Sequence, residues 1–202
     1  MPAIDHVTLE VPNPTEAETF YKAAFELGDT VQVRESHEPT TGFRGFTLSL
    51  VVSQPSTVDS LVGTALDAGA SALKPVSKTF WGYGGVVRAP DGTIWKVASS
   101  SKKDTGPATR QVDEVCLLLG VADVKATKQF YAGRGLAVGK SFGSKYVEFD
   151  TPGSRLKLAL YGRRALAKDA GVPEEGSGSH RIVVSGDGGP VTDLDGFVWS
   201  AD

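Results

Sequence analysis

Apolar and polar residues alternate over Ile4-Asp5-His6-Val7-Thr8-Leu9-Glu10-Val11, the period of a strand with one covered face. Val7, Leu9 and Val11 fall on the face that packs on a core, and His6, Thr8 and Glu10 on the opposite face. Pro14-Thr15-Glu16 then marks a helix start, and that helix carries Phe20-Tyr21. Further strands are predicted at Val31–Glu35, Phe46–Val52, Gly85–Arg88 and Ile94–Ala98.

The same plan recurs. Val112–Leu119 resembles Ile4–Val11, and Phe130-Tyr131 repeats Phe20-Tyr21 at an offset of 110. Asp195-Gly196-Phe197-Val198-Trp199 repeats Asp91-Gly92-Thr93-Ile94-Trp95 at an offset of 104, while Ile182–Ser185 repeats Leu50–Ser53 at an offset of 132. The changing offsets locate two gaps. The second copy gains a stretch in which Tyr146–Phe149 and Leu156–Leu160 alternate like a hairpin. The first copy alone holds an amphipathic helix, Val58, Leu61, Val62, Ala65 and Leu66, stopped by Gly69. In the second copy strands are predicted at Ala137–Ser141, Lys145–Phe149, Arg155–Tyr161, His180–Ser185 and Phe197–Trp199. The polar run 101–110 reads as a linker between a first domain, 1–100, and a second, 111–202. Sheet period places Trp95 and Trp199 in the core.

The ordered set Asp5-His6-Val7-x-Leu9-x-Val11, a Phe-Tyr helix and a closing Asp91-Gly92-x-x-Trp95 strand, found twice, resembles the vicinal oxygen chelate superfamily. That superfamily holds glyoxalase I, extradiol dioxygenases, and fosfomycin and bleomycin resistance proteins. The resemblance implies an α+β fold of tandem βαβββ modules whose curled mixed sheets line clefts. It also implies metal ligands at a first-strand His, an internal His or Glu, and a closing-strand Glu. In the first copy these positions fall on His6, Thr47 and Lys96. In the second they fall on Glu114, on Ser179 or Arg181, and on Ser200. An ammonium has no lone pair for a metal, so neither copy holds a full set.

The leading expectation is therefore a metal-free protein, without cofactor, that binds or sequesters a small, flat or antibiotic-like organic molecule. His6, Thr8, Thr47, Lys96 and Glu114 would supply polar contacts, and Trp81 and Tyr83 would stack on the ligand. Phe80-Trp81-Gly82-Tyr83-Gly84-Gly85 reads either as a lip of the cleft or as a cover for the helix. Two rivals stay open. One is a lyase or dioxygenase using Fe, Zn, Mn or Ni in a degenerate or composite site, for instance His6, Glu114 and His180. The other is a non-enzymatic assembly module.

Composition narrows the partners. Of 202 residues, 21 are Lys or Arg and 24 Asp or Glu, a formal charge of −3 without the basic excess of a nucleic-acid binder. No apolar run reaches membrane length, and Met1-Pro2-Ala3-Ile4-Asp5 has no signal-peptide pattern, so a cytoplasmic location is expected. The lone Cys116 excludes an internal disulfide and, with no base beside it in sequence, reads as buried and inert. Glu114 and Lys96 are read as a candidate ion pair. Arg163-Arg164 is read as a charged turn. A copy short of a helix and a copy short of a hairpin both leave sheet to be covered, which predicts pairing between copies and a homodimer.

Overall fold

The computed structural model describes residues 3–201; Met1 and Pro2, and with them part of the signal-peptide reading, lie outside the described residues. The first strand, β1 (Ile4–Val11), buries Val7, Leu9 and Val11 and leaves His6, Thr8 and Glu10 partly exposed, as its alternation requires. Helix α1 (Pro14–Ala24) starts where Asn13 accepts the Glu16 amide and Pro14 fills the first turn. Then follow β2 (Val31–Glu35), β3 (Thr40–Gly42), β4 (Phe46–Val51), α2 (Pro55–Asp67), β5 (Ser71–Thr79), β6 (Gly82–Arg88) and β7 (Ile94–Ser99). The second copy opens with β8 (Glu114–Val121) and α3 (Val124–Ala132), capped by Asp123. It continues through β9 (Ala137–Phe142), β10 (Tyr146–Asp150), β11 (Lys157–Gly162) and α4 (Arg163–Ala170). It ends with β12 (Gly176–Gly178), β13 (Ile182–Gly186), β14 (Val191–Thr192) and β15 (Val198–Ser200).

Among the described residues the strands form a large sheet ordered β5-β6-β7-β4-β8-β11-β10-β9, a small sheet ordered β14-β15-β13-β1-β2, and the pair β12-β3. The large sheet is two complete βαβββ modules, β4-α2-β5-β6-β7 and β8-α3-β9-β10-β11, joined where β4 and β8 pair antiparallel. The small sheet joins two shortened modules. Its β1-α1-β2 half lacks the hairpin that β9 and β10 provide in the second copy, and its β13-β14-β15 half has no helix matching α2. The alternating stretches Tyr146–Phe149 and Leu156–Leu160 fall on β10 and β11, which pair antiparallel. Both sheets combine strands from before and after the segment 101–110. That segment is pinned by Gln54, whose Oε1 accepts the Thr105 and Gly106 amides and whose Nε2 donates to the Pro107 carbonyl.

The tyrosines of the repeated Phe-Tyr pairs tie helix to sheet. Tyr21 on α1 donates to Asp91 Oδ2 at 2.6 Å in the Asp-Gly turn before β7, and Tyr131 on α3 donates to Asp193 Oδ2 at 2.6 Å before β15. Behind each tie sits a tryptophan: Trp95 packs on Tyr21 and Phe25, and Trp199 on Tyr131, all in one continuous core. Both tryptophans are buried, as the sheet period predicts.

Some elements depart from expectation. Arg163-Arg164 opens α4 instead of forming a turn. The short helix turns Leu166, Ala167 and Ala170 onto the sheet, in a satellite core with Phe43, Val86 and Ile94. Gly176-Ser177-Gly178 is strand β12, paired to β3, and β5 was not anticipated at all. The repeat register over the first strands is also corrected. β1 and β8, and their caps Asn13 and Asp123, all align at 110, so the residue at the His6 position is Cys116 and not Glu114.

Candidate functional site

Strand alternation sends Phe46, Leu48 and Leu50 of β4 into the main core and puts Thr47, Ser49 and Val51 on the opposite face, the one α4 sits on. Cross-strand register then builds a polar row on that face. Ser49 pairs with Lys96 on one side and Cys116 on the other, and Cys116 pairs with Lys157. The row crosses four neighbouring strands and spans about 14 Å. Beside it run Ala98, Val51 and Glu114. On its other side α4 covers the sheet, so that Thr47 is buried beside Leu118.

Each lysine of the row carries a carboxylate. Lys96 Nζ lies 2.7 Å from Asp169 Oδ2 of α4, and Lys157 Nζ lies 2.5 Å from Glu114 Oε2. Glu148 extends the network: its Oε1 is 3.9 Å from Lys157 Nζ and 3.3 Å from Lys140 Nζ, and the Tyr146 hydroxyl donates to its Oε2 at 3.0 Å. The expected Glu114–Lys96 ion pair is therefore replaced by two pairs, because α4 brings Asp169 over Lys96 and β11 sets Lys157 beside Glu114. The hydrogen bond from Lys157 to Glu114 raises the lysine above its ordinary range.

Cys116 lies within this cluster but is no nucleophile. Burial, and after it the charges of Glu114 and Glu148, push its thiol up to about 12. At pH 7.5 the native protein should react with iodoacetamide about a thousandfold slower than the urea-unfolded chain, followed by intact mass. Equal rates in the two states would refute this environment.

The remaining expected site residues fall in different places. His6 and Thr8 lie on β1 in the small sheet, paired with Ser185 and Val183. Trp81, at the tip of the β5-β6 hairpin, is 84% exposed and edge-packed on Phe80, so the aromatic pair does not cover the helix. Tyr83 borders the same groove as Trp81 and Lys96, while its hydroxyl donates to Asp59 of α2. The glycines around them answer to crowding between strands. A Cβ on Gly82 would meet the Ser99 carbonyl at 2.0 Å, and one on Gly85 would meet Val76 at 2.9 Å. A groove of about 250 Å³ nevertheless brings Trp81, Gly84, Val86, Lys96, Ala98 and Asp169 together. The sequence reading missed Asp169, Lys157, Glu148 and Tyr146, whose roles depend on contacts between elements distant in sequence.

A divalent metal does not fit these residues. The ligand positions implied on the large sheet are Thr47 and Lys96, from the superfamily resemblance, and Cys116, from the corrected register; they offer a hydroxyl, a cation and a protonated thiol. The composite site is dispersed. Glu114 is on the large sheet and His6 on the small one. His180 is stacked on Phe197 at 4.0 Å, with Nδ1 2.5 Å from the Arg44 carbonyl oxygen and Nε2 3.0 Å from that of Asp195. Among the described residues no group of three or more His, Cys, Asp or Glu is placed to hold a metal ion. No helix among them is long and apolar enough to cross a membrane.

No family profile matches the sequence, and no curated protein matches it significantly. Solved structures do. Glyoxalase I from Zea mays superposes with a TM-score of 0.61 at 14% identity, covering 100% of this chain and 92% of that one. A putative dioxygenase from Bacillus subtilis superposes with a TM-score of 0.56 at 12% identity, covering 91% of this chain and 69% of that one. The chain thus has the α+β glyoxalase-like fold of tandem modules expected from the resemblance to the vicinal oxygen chelate superfamily.

Proposed function

We propose that this glyoxalase-fold chain binds a small, flat organic molecule, without a metal, on the α4 face of its large sheet. The carrying observation is Lys96. At the closing-strand position where the superfamily resemblance puts a metal-ligating glutamate, it offers an ammonium held by Asp169. The pair presents a hydrogen-bond donor and an acceptor side by side at the groove wall, a match for an amide-like or zwitterionic group. Gly84 and Ala98, neighbours across β6 and β7, leave a low floor, and Trp81 supplies an aromatic edge. A groove of about 250 Å³ suits a single-ring compound. Sequestration, as in the bleomycin resistance proteins of the superfamily, is the role this reading favours over turnover.

Benzoate, benzamide and benzamidine, titrated into 15N-labelled protein, test it. Benzamide should shift the Gly84, Lys96 and Ala98 amides and the Trp81 indole, with about tenfold weaker binding in Lys96→Met. Shifts that are absent with all three probes, or that survive Lys96→Met unchanged, would contradict it.

A further inference from the structure

Beyond this groove, the segment between β3 and β4 gathers arginines that the proposed function does not use. A separate pocket of about 290 Å³ is lined by Thr40, Thr41, Arg44, Arg88, Gly92 and Glu175, with Phe43, Val172 and Pro173 between them. It shares no lining residue with the Lys96 groove. Arg44 donates through Nη2 to the Asp91 carbonyl at 2.6 Å, but its buried Nη1 finds no hydrogen-bond partner within the protein, and neither does the buried Thr40 Oγ1. Behind them Arg181, 7% exposed, donates to the Ser36 carbonyl, while its buried Nε is also unpartnered.

Buried donors of this kind are normally satisfied, and three unpartnered polar atoms around one loop call for an acceptor. The charges agree. Burial lowers the Arg44 guanidinium from its ordinary range; Asp91 opposes that shift, and the neighbouring Arg181 and Arg88 add to it. Asp91 is meanwhile engaged by the Tyr21 hydroxyl at 2.6 Å and the Thr93 amide at 2.8 Å. Arg44 and Arg88 thus line the pocket together, with Arg181 close enough to add to their charge. Oxyanions are the ligands that planar guanidinium forks and a hydroxyl recognise together.

We infer that this pocket is a second ligand site, taking the phosphate or carboxylate group of a small organic anion against Arg88, Arg44 and Thr40. The test compares inorganic phosphate, malonate and chloride at matched ionic strength, read by thermal shift and calorimetry on the full chain. Phosphate, malonate or both should raise Tm saturably where chloride does not, and which of them does so identifies the headgroup. Arg88 is exposed, so Arg88→Gln should keep the ligand-free Tm and raise the half-saturating concentration at least about tenfold. Thr40→Val provides an independent weakening should the first variant fold poorly. Equal effects of all three salts, or unchanged half-saturation in the folded variants, would overturn the site.

Discussion

Trp95→Ala should lower the unfolding free energy by about 3 to 5 kcal/mol, the largest single-residue loss expected in this fold. The side chain is fully buried on β7, with ring centroids 5.5 Å from Tyr21 and 4.9 Å from Phe25. Truncation would open a cavity where α1 meets the large sheet, bounded by a paired β-sheet on one side and a capped helix on the other, so little collapse can fill it. Domains of this size have about 5 to 15 kcal/mol in total, so the variant should sit near the edge of folding at 37 °C. Urea denaturation measures the loss. Trp81→Ala is the matched control: with its ring 84% exposed it should cost under about 0.5 kcal/mol. A Trp95→Ala loss below about 1 kcal/mol would mean that α1 does not rest on this ring.

The second large effect is expected at Asp193. Its Oδ2 accepts the Tyr131 hydroxyl at 2.6 Å, and its Oδ1 accepts the amides of Asp195 and Phe197 at 2.9 and 2.8 Å; the Trp199 indole in turn donates to the Tyr131 hydroxyl at 3.0 Å. The whole group is buried, so Asp193→Ala leaves several donors unsatisfied at once, for a loss of about 3 kcal/mol or more. Asp193→Asn, which keeps one acceptor oxygen, should cost less. The same tie predicts alkaline sensitivity. Burial first, then Asp193, hold the Tyr131 hydroxyl protonated well above its ordinary range, and Tyr21 is held likewise by burial and Asp91. Because the folded value is raised, this stability is intact below the unfolded tyrosine range and lost as pH rises past about 10. Denaturation midpoints that stay constant from pH 9 to 11 would contradict it.

The repeat made much of the fold readable, since a hairpin present in one copy and a helix present in the other leave their lengths in the offsets. What it could not reveal was how the modules pair, because nothing local says that β4 joins β8 while β1 joins β13. The error at Glu114 has a simple origin. A two-residue slip preserves every inside and outside assignment of a strand, so alternation cannot detect it; the helix caps Asn13 and Asp123 and the Phe-Tyr pairs, all offset by 110, fix the register. Helix α4 escaped because it is short and its apolar stripe is Leu166, Ala167 and Ala170 amid charged residues. The edge strand β5 escaped because it is largely exposed and its pairing is irregular around Pro75. With α4 unseen, Asp169 was unseen too, and Lys96 was matched to Glu114 instead.

Incubation with Fe(II), Zn(II), Mn(II) or Ni(II), desalting and elemental analysis test the account most directly, because its center is a row in which Lys96, Ser49, Cys116 and Lys157 offer no set of metal ligands. The account predicts each metal well below one equivalent per chain. A near-stoichiometric complement of any of the four, lost in Cys116→Ala or His6→Ala, would contradict it.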